Sequence, residues 1–206
     1  MFMANPRRGN WTPASVPTEL QPAWTVKVAG LPAARVADDW RECERPAGAV
    51  TAPTIAGEML FVGLPNTHRI ESRSVETGQL LWSFTTGGRV DCPPTLYGGL
   101  CLFGSRDGWV YALDAKDGRL AWRFQAAVCP KMIVDAGHLE SPWPVLGSVT
   151  IHRGRLWVIA GRHSAVDQGI QLYQLDPMMF RLTSCCEEQF FRATHRAPAT
   201  RRCLST

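Results

Sequence analysis

The residues best equipped for chemistry gather in one stretch, Ala127–Gly147, which reads A-V-C-P-K-M-I-V-D-A-G-H-L-E-S-P-W-P-V-L-G. His138 and Glu140 stand two apart there, a spacing that suits an acid/base couple or a pair of metal ligands. Trp143 follows closely. The simpler reading is a crossover anchored by packing of Trp143, with His138 and Glu140 as ordinary loop residues. Connections of this length inside a compact repeat are usually functional or disordered, so the stretch is the candidate loop site. Replacement of Glu140 is accordingly expected to spare the fold and alter only binding. Asp107 and Asp167 occupy hairpin positions and read as turn formers rather than calcium ligands. No nucleophile–base pair, metal triad or phosphate loop stands beside them, so no catalytic residue and no metal ligand is assigned.

Seven cysteines is an odd number without framework spacing. Cys43, Cys92 and Cys129 lie near turns with no C-x-x-C and no His at ligand spacing, which argues against zinc. Cys101 sits in an apolar run and reads as a small core residue. Cys185 and Cys186 are adjacent.

The elements that would position these groups come from an internal repeat. Residues 72–82 read S-R-S-V-E-T-G-Q-L-L-W, and residues 112–122 read A-L-D-A-K-D-G-R-L-A-W. Gly78 and Trp82 coincide with Gly118 and Trp122. Upstream, Ala52–Gly63 matches Pro93–Gly104 with a shift of one residue. A period near forty with short β-rich runs between Gly, Pro and Asp turns predicts four strands per copy, the pattern of a propeller blade. A decayed third copy spans Ser148–Gly161 and Gly169–Pro177. Its pattern then fails, with Met178, Met179 and Phe180 where Gly belongs and Ser184 where Trp belongs. Leu20–Val26 resembles the strand around Trp82 and hints at one more blade. The expected fold is all-β: a partial β-propeller of four-stranded antiparallel blades. Strands are expected near 52–63, 69–74, 80–85, 93–104, 108–113, 119–125, 148–160 and 169–175.

The segment A-x-D-x-x-T-G-x-x-x-W resembles the tryptophan-docking motif of the pyrroloquinoline-quinone (PQQ)-like β-propeller repeat family. That repeat occurs in quinoprotein dehydrogenases and in the outer-membrane assembly lipoprotein. Ala112, Asp114, Gly118 and Trp122 match, with Asp117 where Thr is usual; the first copy keeps Thr77, Gly78 and Trp82 but has Ser72 and Ser74. The resemblance implies that each Trp wedges between adjacent blades, with room left by the small residue at Ala112. Gly supplies the positive φ of a tight turn, and Asp114 caps it. The repeat serves catalysts and scaffolds alike; because every recognisable residue has a structural role, the favoured reading is a binding scaffold, a fragment of a longer propeller that engages a protein partner or small ligand. The alternative is a fragment of a PQQ-dependent quinoprotein dehydrogenase, with PQQ and calcium as its cofactors. Such dehydrogenases carry a vicinal disulfide beside the cofactor, but Cys185-Cys186 lies where the repeat has already broken down. For the full-length family the resemblance implies a periplasmic or extracytoplasmic location.

The expected organisation is a partial blade strand and linker at 1–49, propeller repeats at 50–182 (blades near 50–86, 90–126 and 148–182), and an aberrant or disordered tail at 183–206. The tail mixes Cys and Arg without a strand period, as an out-of-frame terminus would. Three blades and a hint fall short of the about 4–8 that close a ring, so open edges and self-association are expected. The 206 residues are 45% apolar and 19% charged, which is ordinary globular usage. A net charge of +4 with no basic run interleaved with aromatics gives no sign of nucleic-acid binding. No apolar stretch reaches membrane-spanning length, and no signal peptide is visible at the start.

Overall fold

Short β-branched and aromatic runs broken by Gly turns leave the chain little choice but antiparallel hairpins. The computed structural model describes residues 15, 18–27, 50–135, 137–178 and 181–188. Within these, the first sheet is β1 (Thr54–Ala56), β2 (Met59–Leu64), β3 (Arg69–Ser74) and β4 (Leu80–Thr85), paired in that order. The second is β5 (Thr95–Tyr97), β6 (Leu100–Gly104), β7 (Trp109–Asp114) and β8 (Leu120–Gln125). A small hairpin, β9 (Ile133–Asp135) and β10 (His138–Glu140), precedes the third sheet. That sheet is β11 (Thr150–His152), β12 (Arg155–Ala160), β13 (Ile170–Asp176) and β14 (Arg181–Glu188). All pairings are antiparallel. The fold is therefore all-β, a partial propeller of four-stranded blades, as the repeat required.

Two expectations change. The stretch 127–147 is not a plain loop, because β9 and β10 pair within it. The third blade also acquires its closing strand: β14 runs to Glu188, six residues past the boundary drawn at 182. Ser184 pairs with Gln174, the register position that Trp82 and Trp122 hold opposite Ser72 and Ala112. Backbone pairing thus survives where the sequence motif is lost. The remainder of the expected tail, 189–206, and most of 1–49 lie outside the described residues.

The same register shift recurs in each blade, at Ser72/Arg73, Ala112/Leu113 and Gln174/Leu175. An extra residue on the outer strand sharpens its twist and re-aims the side chain beside it. In the first two blades that side chain is the motif Trp.

The core lies between blades, not within them. Period-two alternation gives each middle strand two buried faces. Cys101, Phe103, Tyr111 and Leu113 pack with Phe61, Ile70 and Trp82 of the first blade. Their neighbours Leu102, Val110 and Ala112 pack with Leu156, Val158, Tyr173 and Leu175 of the third. The reading of Cys101 as a core residue holds, since it is fully buried. No helix among the described residues is long and apolar enough to cross a membrane.

Candidate functional site

The motif residues build the blade junctions. Trp82 donates its indole N–H to the Ala115 carbonyl (3.0 Å), and Trp122 donates to the Pro177 carbonyl (3.0 Å). Trp24, the residue that hinted at a further blade, does the same to Val75 (2.8 Å). Val75, Ala115 and Pro177 are equivalent positions, so one contact recurs at three successive junctions. The turn Gly beneath each ring is doubly constrained. Gly118 has φ +73, and a β-carbon there would lie 2.6 Å from the Trp82 ring; Gly78 has φ +70 and the same relation to Trp24. Asp114 accepts the Lys116 N–H (2.8 Å), and Thr77 accepts that of Gln79 (3.3 Å), which closes the turns locally. Ala112 and Ser72 are fully buried opposite Trp122 and Trp82, where a larger side chain would compete for space.

A second set of junction contacts escaped the sequence reading. Thr54 donates its hydroxyl to the Pro94 carbonyl (2.9 Å), and Thr95 donates to Val149 (2.7 Å). These residues belong to the first strands, β1 and β5; β5 lies between β1 and β11. The repeated Pro-Thr at 53–54 and 94–95 was its only trace in the sequence.

The candidate loop site gathers at one end of the blades. There the β2–β3, β6–β7 and β12–β13 turns meet the connectors 86–94 and 126–149. His138 and Glu140 do share a face of β10, and both are buried. Glu140 nevertheless belongs to an ion-pair network rather than to an acid/base couple. Its Oε2 accepts from Arg106 (2.7 Å), and its Oε1 lies 3.7 Å from Arg162. Arg106 turns its Nε to Asp91, whose other oxygen is 3.3 Å from Arg89 Nε. Arg162 also reaches Asp167 (3.4 Å) and Asp135 (3.6 Å). Glu140 has no exposed surface and two guanidinia lie against it, so its replacement is expected to disturb the fold as well as any binding.

Burial dominates the protonation of this region. It pushes the Glu140 carboxyl above the usual range, and the Arg106 hydrogen bond only partly offsets it. Burial, then the charges of Arg89 and Arg106, holds His138 below its ordinary value. His68 is lowered in the same way by burial and Arg89. For Arg106, burial works against the charge, but hydrogen bonds to Glu140 and Asp91 win and raise it. Both imidazoles are thus biased neutral.

Trp143 takes the packing role that the simpler reading gave it. It is buried in the core between the second and third blades and donates its indole N–H to the Asp167 carbonyl. Asp107 is a turn organiser. It accepts from Trp109 N (3.0 Å), Gly87 N (2.9 Å) and the Tyr111 hydroxyl (2.6 Å). Burial, with Asp107 beside it, raises the Tyr111 phenol well above its ordinary value. Asp167 has φ +53, consistent with its turn position. The donor chemistry here does not fit calcium, which needs six to eight oxygens. Asp91 and Glu140 are each claimed by two guanidinia. Among the described residues no three His, Cys, Asp or Glu cluster as metal ligands.

A family model described as outer membrane protein assembly factor BamB matches residues 21–160. Among solved structures, the chain is similar to quinohemoprotein alcohol dehydrogenase from Comamonas testosteroni, with 16% identity, 68% of this chain and 21% of that chain covered, and a TM-score of 0.56. It is also similar to a europium-containing methanol dehydrogenase (14%, 68% and 25%, 0.52) and to BamB from Moraxella catarrhalis (20%, 65% and 35%, 0.49). The chain spans about a fifth to a third of the length of these structures. At such identities the likeness is one of fold. No curated protein matches the chain.

Proposed function

From the premise that the chain belongs to the BamB-type family of PQQ-like β-propeller repeats, we propose that it is a binding scaffold and not a catalyst. What supports this reading most is how the ionisable side chains are used. On the end of the blades that holds Ala127–Gly147, Glu140 and Asp91 are bound to guanidinia, Asp107 holds a turn, and Trp143 is core. The motif residues Trp82, Trp122, Gly78 and Gly118 are consumed in junctions. That leaves a surface of turns suited to holding a protein partner or small ligand. His138, Glu140 and Trp143 support this surface from beneath. Its location, on this reading, is extracytoplasmic.

The competing reading is a portion of a PQQ-dependent dehydrogenase. The purified chain, supplied with PQQ, calcium and a panel of alcohols, is assayed for reduction of an artificial electron-accepting dye. No PQQ-dependent turnover and no calcium-dependent PQQ binding are expected. Saturable PQQ binding with dye reduction overturns the scaffold reading.

A further inference from the structure

Arg89 lies in the connector between the first and second blades, and its side chain keeps only 5% of its surface exposed. A guanidinium so buried normally has its N–H groups paired. Here, among the described residues, neither Nε nor one terminal nitrogen has a hydrogen-bond partner. Its one carboxylate neighbour, Asp91, gives its hydrogen bond to Arg106 and meets Arg89 only as an ion pair at 3.3 Å, with Oδ1 itself unbonded. One carboxylate therefore serves two guanidinia. The other nearby carboxylates are committed: Glu140 to Arg106 and Arg162, and Asp107 to its turn and Tyr111. Among the described residues, two of the Arg89 nitrogens are therefore left without an acceptor.

Two imidazoles frame this deficit. His138 from β10 and His68 from the β2–β3 turn both lie close enough for the Arg89 charge to favour their neutral forms. His68 is also placed at a conformational cost. It has φ +53 at the turn position where the sister blades carry Gly108 (φ +83) and Gly169 (φ +85). A β-carbon in the left-handed region costs about 1–2 kcal/mol, which glycine at the same place avoids.

We propose that Arg89, flanked by His68 and His138, receives a carboxylate of the ligand or partner bound at this face. The proposal rests on the scaffold reading and names the chemistry that the scaffold recognises. A carboxylate suits the site on two counts. It is planar and matches the guanidinium fork. It also offers an acceptor to a neutral imidazole such as that of His68, which can donate its one N–H.

The test is a titration of the whole chain at constant ionic strength, followed by the ring signals of its histidines in NMR. The probes are acetate and a capped tetrapeptide with one Glu, with chloride and the matching Gln peptide as controls. Saturable shifts at His68 and His138, with little change at His152 on the β11–β12 turn, are expected. Arg89→Gln should abolish them. Should that variant fail to fold, Arg89→Lys, which keeps the charge but loses the fork, should weaken binding roughly tenfold. Tighter binding of the peptide identifies a partner's side chain as the source, and tighter binding of acetate identifies a free acid; either supports the site. Shifts that persist unchanged in the Arg89 variants, or that move all histidines alike, overturn it. The two readings fail separately. Absence of binding without PQQ turnover removes this site alone, whereas PQQ turnover with binding intact removes the scaffold reading alone.

Discussion

The Trp82 ring stands 2.6 Å from where a β-carbon on Gly118 would have to be, so the second blade's turn is shaped by the first blade's tryptophan. The indole N–H then bonds the carbonyl of Ala115 in that same turn. One glycine thus answers two demands, a left-handed φ and the absence of a side chain.

These demands can be separated. Gly118→Ala should cost the left-handed penalty of about 1–2 kcal/mol plus roughly 1–3 kcal/mol for displacing the ring. Gly99→Ala, at φ +81 with nothing within 4 Å, should cost only the first part. Urea melts of both variants check this. Equal losses would mean that the ring yields freely and the junction is not tight.

The two sets of junction contacts should differ in weight. Trp82→Ala removes a buried ring from the core between the first two blades and should cost about 3–5 kcal/mol. Thr54→Val keeps the side-chain shape but removes the donor to Pro94, and should cost about 1 kcal/mol, more if the carbonyl stays dry. Denaturation midpoints at fixed slope give both numbers.

Glu140→Ala should destabilise by about 3–5 kcal/mol, because it strips a buried guanidinium pair of its shared acceptor. Loss of cooperativity in the thermal melt, or failure to fold, is the expected sign. A melt within experimental error of the parent would show that the network carries no weight.

Much of the fold was legible because its signals are local. Apolar runs broken by Gly57, Gly98-Gly99 and Gly154 gave the hairpins, and the Gly78/Trp82 and Gly118/Trp122 spacing gave the repeat. What was missed depends on contacts distant in sequence. Arg106 and Glu140 are 34 residues apart, and nothing in either segment announces the pair. Three-residue strands such as β9 and β10 are too short for alternation to show. β14 is held by its neighbour's register and not by a recognisable motif of its own. Arg89 looked like one arginine among many until its missing partners made it visible.

Acidification should weaken the protein through the two histidines. Both have folded values below the ordinary 6.5, so the unfolded chain binds more protons just below that pH. Stability contributed by the neutral rings is present above about pH 6.5 and falls as pH drops toward their lowered values. Arg89 and Asp91 face both rings, Asp107 faces His68, and Arg106 and His68 itself face His138. Glu140 works with the opposite sign: its raised carboxyl favours the folded state as pH falls through the window above about 4.5. His138→Gln isolates the histidine part. Its stability should vary less between pH 7.5 and 5.5 than that of the parent, and an identical profile would remove His138 from the account.

His68 provides the most direct separation of stability from binding. Its left-handed backbone is strained in a position that two sister turns fill with glycine, so His68→Gly should relieve the fold. The gain should be up to about 1 kcal/mol, because added freedom of the unfolded chain offsets part of the relief. The same change removes one of the two imidazoles that feel the Arg89 charge, so on the proposal acetate affinity should fall. A variant that melts higher yet binds more weakly is the pattern of a residue kept for function at the expense of stability. Equal or tighter acetate binding would show that the imidazole takes no part, and a lower melting point would mean that His68 is held by packing which outweighs its strain.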